Sequence, residues 1–204
     1  MAFFRYLSFL FLFPVCLFSQ APATEIRAVW LTTNWGLDWP TIGASAEVQK
    51  EELRKLLNQL EKDNFNLVLF QVRAQGCVFY NSKIEPKSPY YDHSNGFDPL
   101  AFAIEECHIR GMECHAWLVT YPMEKIKMQT IGSGKWAKEV PVAENKPDNY
   151  VPVDDRWHLD PGSPATHNRI LAIVNEIVTN YDVDGIHFDY IRYPDDPRKF
   201  ADQE

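Results

Sequence analysis

Asp189 ends a short alternation, Ile186-His187-Phe188-Asp189, in which apolar and polar side chains take turns. Three earlier stretches alternate in the same way. Trp30 and Thr32 interleave with Val29 and Leu31, Gln71 and Arg73 with Phe70 and Val72, and His115 and Trp117 with Cys114, Ala116 and Leu118. A carboxylate in such a set can serve as a nucleophile or general base in a hydrolysis. Arg73, if it shares a face with Asp189, would hold that carboxylate ionised, because a nearby cation lowers a carboxylate pKa. Metal chemistry is not indicated. The 6 histidines form no H-x-H after the first stretch and no H-E-x-x-H, and the 4 cysteines form no C-x-x-C, so neither a metal nor a cofactor is expected.

Strands must carry these residues, since only an extended chain sends successive side chains to opposite faces. Strands are expected over residues 25–33, 66–75, 112–120 and within 182–194. Helices fall between them. Ser45 can N-cap one running to about Lys62, with Leu53, Leu56, Leu57 and Leu60 on its apolar stripe. Asp98-Pro99 opens a second, stopped near Gly111. Ser163-Pro164 opens a third, with Ile170, Val174, Ile177 and Val178 on the buried side. The order is β-α-β-α-β-α-β, which implies a parallel sheet. One face of that sheet is uniformly apolar. The other is polar or aromatic, with its polar members near the C-terminal strand ends. A doubly wound sheet needs two apolar faces, whereas a (β/α)8 TIM barrel packs helices only outside and opens its inner face at the C-terminal mouth. The pattern therefore fits the N-terminal half of a TIM barrel, residues 24–204, truncated after strand four. Its two unpaired edges would favour aggregation or dimerisation of this stretch expressed alone. A structural polar network pairing Arg73 with Asp189 is the bland alternative. It suffices for a single member such as His187, but not for four strands converging on one cluster.

Residues 121–163 show no sustained period and contain Gly132-Ser133-Gly134 and several prolines. A loop this long inside a compact domain is usually functional or disordered. Trp35, Trp39, Tyr80, Tyr121, Trp136 and Trp157 fall in segments that a barrel would place above its mouth, where flat rings suit the apolar faces of sugars. Trp35 and Trp117 have the better claim by position. Glu124 and Asp160 are the loop candidates for a second carboxylate, but loop acids are usually just solvated, so the partner is expected on a further strand.

Arg5, the apolar run 7–18 and the small-residue stretch Ser19-Gln20-Ala21-Pro22-Ala23 have the three regions of a secretory signal peptide, residues 1–23. Export is expected, to the periplasm, envelope or exterior, with no stable membrane insertion after cleavage. Cys77, Cys107 and Cys114 then remain. They form no disulfide framework, though one pair such as Cys107 with Cys114 stays open. A formal charge of −8 without a basic run argues against nucleic acid. Oligomeric state is not legible.

The segments EIRAVWLTT, FQVRAQG, HAWL, LDPGSP and above all DVDGIHFDYIRYP are similar to the glycosyl-hydrolase-like 10 family of bacterial exported proteins, in order and over residues 25–196. The resemblance implies a (β/α)8 barrel acting on glycosidic bonds, with a cell-envelope glycan such as peptidoglycan as substrate. It matches Asp189 to the acidic position at the barrel mouth, Arg73 to the strand-two arginine and Trp30 to the strand-one tryptophan. The chain would thus be a glycoside hydrolase with Asp189 catalytic and its second carboxylate outside this stretch. Asn34, Trp35, Gln71, Arg73, His115, Trp117, Tyr121, His187 and Arg192 are expected to bind the glycan. A metal-dependent hydrolase, a non-catalytic carbohydrate-binding barrel and a protein-interaction scaffold are the competing readings.

Overall fold

The computed structural model describes residues 25–125, 149–154 and 156–195. The expected signal peptide, Trp136 and Gly132-Ser133-Gly134 lie outside the described residues.

Four strands, β1 (Ala28–Leu31), β2 (Leu67–Ala74), β4 (Glu113–Val119) and β8 (Gly185–Asp189), pair in parallel in the spatial order β1-β2-β4-β8. A two-residue strand β3 (Cys77–Val78) folds back antiparallel on the end of β2. Between the long strands run α1 (Ala46–Lys62), α2 (Pro99–Ile109) and α3 (Pro164–Asn180). This is the sequential, one-directional strand order of a (β/α)8 barrel, and it amounts to the first half of one.

Local chemistry explains each helix boundary. The Ser45 hydroxyl accepts the Val48 amide and the Asp98 carboxylate accepts the Ala101 amide, each supplying a partner for an otherwise orphaned N–H. Helix α2 ends where Gly111, in the left-handed region, lets the Gly111 and Met112 amides turn back onto the carbonyls of His108 and Cys107. Ser163 precedes α3 without a side-chain capping bond, and Pro164 supplies the preset first turn instead.

The helices cover one face of the sheet. Leu31, Val68, Phe70, Val72, Cys114, Ala116 and Leu118 form a single buried cluster with Leu53 and Leu57, Leu100, Ala103, Ile104 and Cys107, and Ile173 and Ile177. Two helical stripes sit slightly rotated from expectation. Leu56 is partly exposed on α1, and on α3 Ile173 is buried while Val178 faces solvent. Phe188 stays partly exposed on edge strand β8, although its parity matches the apolar face. Cys77, Cys107 and Cys114 are buried and in no disulfide, and Cys107 and Cys114 lie side by side as thiols.

The segment expected to lack regular structure contains a second sheet. Strands β5 (Pro122–Lys125), β6 (Tyr150–Val153) and β7 (Arg156–Leu159) pair antiparallel in the order β5-β7-β6. It stands over the C-terminal ends of the parallel strands, and Arg156 lies 5.5 Å from the ring centre of Trp35 on the loop after β1.

Among the described residues no helix is long and apolar enough to cross a membrane.

Candidate active site

The uncovered face of the parallel sheet carries its polar residues in register. Gln71 stands opposite Trp117, and Trp117 opposite His187, while Asp189 ends β8 opposite Val119. The Trp117 indole Nε1–H donates to Asp189 Oδ2 at 3.1 Å, and the amide of Tyr190 donates to Asp189 Oδ1 at 2.7 Å. Each carboxylate oxygen thus has one fixed donor, which sets the plane of the group. Below it, Trp30 Nε1–H donates to His187 Nε2 at 3.2 Å. An indole nitrogen can only donate, so Nε2 is the acceptor and the His187 proton sits on Nδ1.

A cleft of about 470 Å3 opens beside Asp189, lined also by Asn34, Trp35, Gln71, Trp117, Arg156 and His158, with Gln75 and Tyr190 at its edges. Trp35, Gln75 and Tyr190 all have left-handed backbones, with φ of 55°, 54° and 50°. Each follows the C-terminal end of a parallel strand. Non-glycine residues adopt this conformation rarely, and such strain concentrates at functional sites. Here it turns the chain sharply out of β1, β2 and β8 at the rim of the cleft. A second cleft of similar size, about 470 Å3, shares Pro122, His158 and Tyr190 with the first and extends to Arg192 and Tyr193.

Of the residues expected to bind a glycan, Asn34, Trp35, Gln71 and Trp117 meet Asp189 in the first cleft. Arg192 lies instead in the second, 5.2 Å from the ring centre of Tyr190 and 3.7 Å from Asp195. His115 sits lower on β4, its ring against Gly185 and its Nε2 3.0 Å from Glu113, so it does not reach the cleft. His187 is engaged by Trp30, and Tyr121, half-buried, lines neither cleft.

Arg73 is the main correction. It does not pair with Asp189. A bulge between Gln71 and Arg73 sets Gln71 opposite Trp117 but Arg73 opposite Leu118. One inserted residue reverses side-chain parity beyond it, so Arg73 leaves the polar face. Its guanidinium is fully buried, 2.6 and 2.8 Å from the two carboxylate oxygens of Glu85, and it also donates to the carbonyls of Val119 and Thr120. Arg169 from α3 bonds the same Glu85 at 2.9 Å. Burial alone would push the Glu85 carboxyl up, but the two guanidinium charges outweigh it and hold the group below its ordinary value. Arg73 therefore braces the end of β4 and, fully buried, does not line the cleft. The Thr120 amide in turn donates to the Asp189 carbonyl at 2.8 Å, so this brace reaches the backbone of the acid.

The loop aromatics divide. Trp35 is exposed at the cleft, whereas Trp39 and Tyr80 are core residues, and the Trp39 indole donates to the Gln49 carbonyl. Of the loop acids, Glu124 is buried on β5, and Asp160 accepts the Gly162 amide in the turn before α3. Neither lines the cleft, where Asp189 is the only carboxylate among the described residues. Gln75, Arg156 and His158 were not anticipated. The polar-apolar alternation of Arg156-Trp157-His158-Leu159 was their visible signal, hidden within a segment rich in proline and glycine.

Among the described residues no group of three or more His, Cys, Asp or Glu side chains is arranged to hold a metal ion.

The family model described as Glycosyl hydrolase-like 10 matches residues 25–203. The chain is 36% identical over 185 residues to "Glycosyl hydrolase YngK" of Bacillus subtilis (strain 168), covering 88% of this chain and 35% of that protein. It is 33% identical over 195 residues to "Glycosyl hydrolase DigH" of Escherichia coli (strain K12), covering 88% of this chain and 44% of that protein. The chain thus spans less than half the length of these relatives. A crystal structure of a hypothetical protein from Ruminiclostridium thermocellum ATCC 27405 superposes with a TM-score of 0.51 at 16% identity, over 82% of this chain and 77% of that one, a likeness of fold alone.

Proposed function

We propose that this chain, which belongs to the Glycosyl hydrolase-like 10 family, supplies the N-terminal half of a glycosidase active site in which Asp189 is a catalytic carboxylate. The observation that carries the reading is the placement of Asp189. It closes the fourth parallel strand, is oriented by Trp117 Nε1–H and the Tyr190 amide, and faces a cleft walled by Trp35 and Gln71. Active sites of (β/α)8 barrels lie at this end of the strands.

Glycoside hydrolysis uses two carboxyl groups across the scissile bond. Two N–H donors, one on each carboxylate oxygen, suit Asp189 to the nucleophile or base role, in which both oxygens act as acceptors. The general acid then comes from a part of the barrel beyond the described strands. Trp35, exposed at the cleft, offers a stacking face for a pyranose ring. The substrate class we assign is a bacterial cell-envelope glycan such as peptidoglycan. This rests on the family and on the leader-like residues 1–23, which also support export.

The test is Asp189→Asn in the intact protein, assayed by release of reducing ends from purified peptidoglycan. Loss of turnover by about 10^2–10^4-fold, with glycan binding kept, supports the assignment. Unchanged turnover removes Asp189 from catalysis, and binding without turnover in the wild type would point to a carbohydrate-binding barrel. Export is checked by the mass of the mature N-terminus.

A further inference from the structure

Resting on that glycan-cleft reading, we propose that Gln71, with the Asn34 amide beside it, is an orientation-locked donor that reads an sp2 oxygen on the bound glycan, an acyl carbonyl or a carboxylate. Gln71 is 97% buried and its carbonyl oxygen is fully engaged by β1 and the turn that follows. Oε1 accepts from the Thr33 amide at 2.9 Å, the Asn34 amide at 2.8 Å and the Thr32 hydroxyl at 2.8 Å. Backbone amides can only donate, so the side-chain amide cannot flip without setting its NH2 against two N–H groups. The Gln71 NH2 consequently points away from this nest. It has no acceptor among the described residues, and its residue lines the cleft beside Asp189.

Asn34 lies beside it, its side-chain amide paired with that of Gln75. Its backbone amide is held by Gln71, and its side-chain Oδ1 accepts from Gln75 Nε2. Its own NH2 is left without an acceptor among the described residues, again on the cleft wall. The remaining carbonyl of this amide cluster, Gln75 Oε1, is enclosed and offers no surface to a ligand. Gln71 and Asn34 therefore present N–H donors, and the side-chain acceptor beside them is Asp189, the group already assigned to the reacting centre. A sugar hydroxyl can accept here, but the two amides offer its proton no acceptor, so it matches them less well. A carbonyl or carboxylate oxygen is acceptor only, with two lone pairs for two donors. Discrimination by such a site is steep, because the wrong ligand leaves buried polar groups unpaired.

Three β-1,4 tetrasaccharides separate the sources: N-acetylchitotetraose, a tetraglucuronate, and cellotetraose, which has hydroxyls only. Affinities are measured by calorimetry on the intact Asp189→Asn protein, so that no ligand is consumed. One of the two carbonyl-bearing oligomers should bind at least about tenfold more tightly than cellotetraose. Gln71→Glu keeps an oxygen facing the three donors but replaces the cleft-facing NH2 by an acceptor. It should erase that preference while leaving the melting temperature at or above the wild-type value, a split that a purely structural role does not produce. Asn34→Asp, which keeps the oxygen facing Gln75, provides the same comparison independently if Gln71→Glu does not fold. Equal binding of all three oligomers, or a preference that survives both variants, overturns the inference and leaves the glycosidase reading standing. Absence of binding by any of the three overturns both.

Discussion

Trp117 and Asp189 stand on adjacent parallel strands, and the indole N–H of one donates to the carboxylate of the other at 3.1 Å. Trp117→Phe removes this donor and keeps most of the ring. A hydrogen bond to a charged group is worth about 1.5–3 kcal/mol, so kcat/KM for the proposed glycan hydrolysis should fall by about tenfold or more. Thermal stability should change little. Steady-state kinetics alongside a melting curve checks both.

Glu85 should matter for folding and not for chemistry. It is the common partner of Arg73 and Arg169, and Glu85→Gln leaves a buried guanidinium short of compensating charge. Breaking a buried pair in this way typically costs about 3–5 kcal/mol, readable by urea denaturation at neutral pH.

The same group sets an acid limit. Its folded pKa lies below the ordinary value of 4.5, although burial alone would raise it, because Arg73 and Arg169 stabilise the charged form. A depressed carboxylate pKa contributes stability that is complete above the unfolded value and is lost as pH falls through the folded one. Glu106 is shifted the same way, with burial opposed by Arg110 and Arg54. The melting temperature should therefore hold from neutral pH down to about 5 and fall below about 4.5. Glu85→Gln should flatten that decline.

Gly185 begins β8 under the His115 ring. A Cβ there would stand 2.7 Å from both Cε1 and Nδ1 of the imidazole. Gly185→Ala should destabilise by about 1–3 kcal/mol, as overpacking does. His115→Ser in the same chain should recover most of the loss, and a double-mutant cycle on unfolding free energies measures the coupling.

Arg156 joins the antiparallel sheet to the cleft through the face of Trp35. Arg156→Ala should weaken the proposed glycan binding by about two- to fivefold, the equivalent of one partly exposed cation–π contact. Titration calorimetry reads the change, and an unaltered affinity would show that Trp35 needs no such support.

Local pattern was enough for the four parallel strands, the three helices, two of the helix caps and the polarity of the two sheet faces. Period-2 and period-3.6 alternation and capping chemistry are properties of neighbouring residues. They also put Asp189 at the end of its strand, with Gln71 and Trp117 on the same side. Arg73 escaped the pattern because a single bulged residue reverses parity beyond it, and nothing in Gln71-Val72-Arg73 announces the bulge. Its partner Glu85 comes from a loop, and Arg169 from a helix 84 residues away from Glu85 in the chain. The small antiparallel sheet was hidden for a related reason. Strand β5 pairs with β7 across some thirty residues, Pro122 with His158, and short strands broken by proline carry little periodicity of their own. What the sequence determined by itself is which residues could share a face. Tertiary structure alone decided which of them meet, because a buried cation or amide takes its orientation from whichever partner folding brings within hydrogen-bond reach.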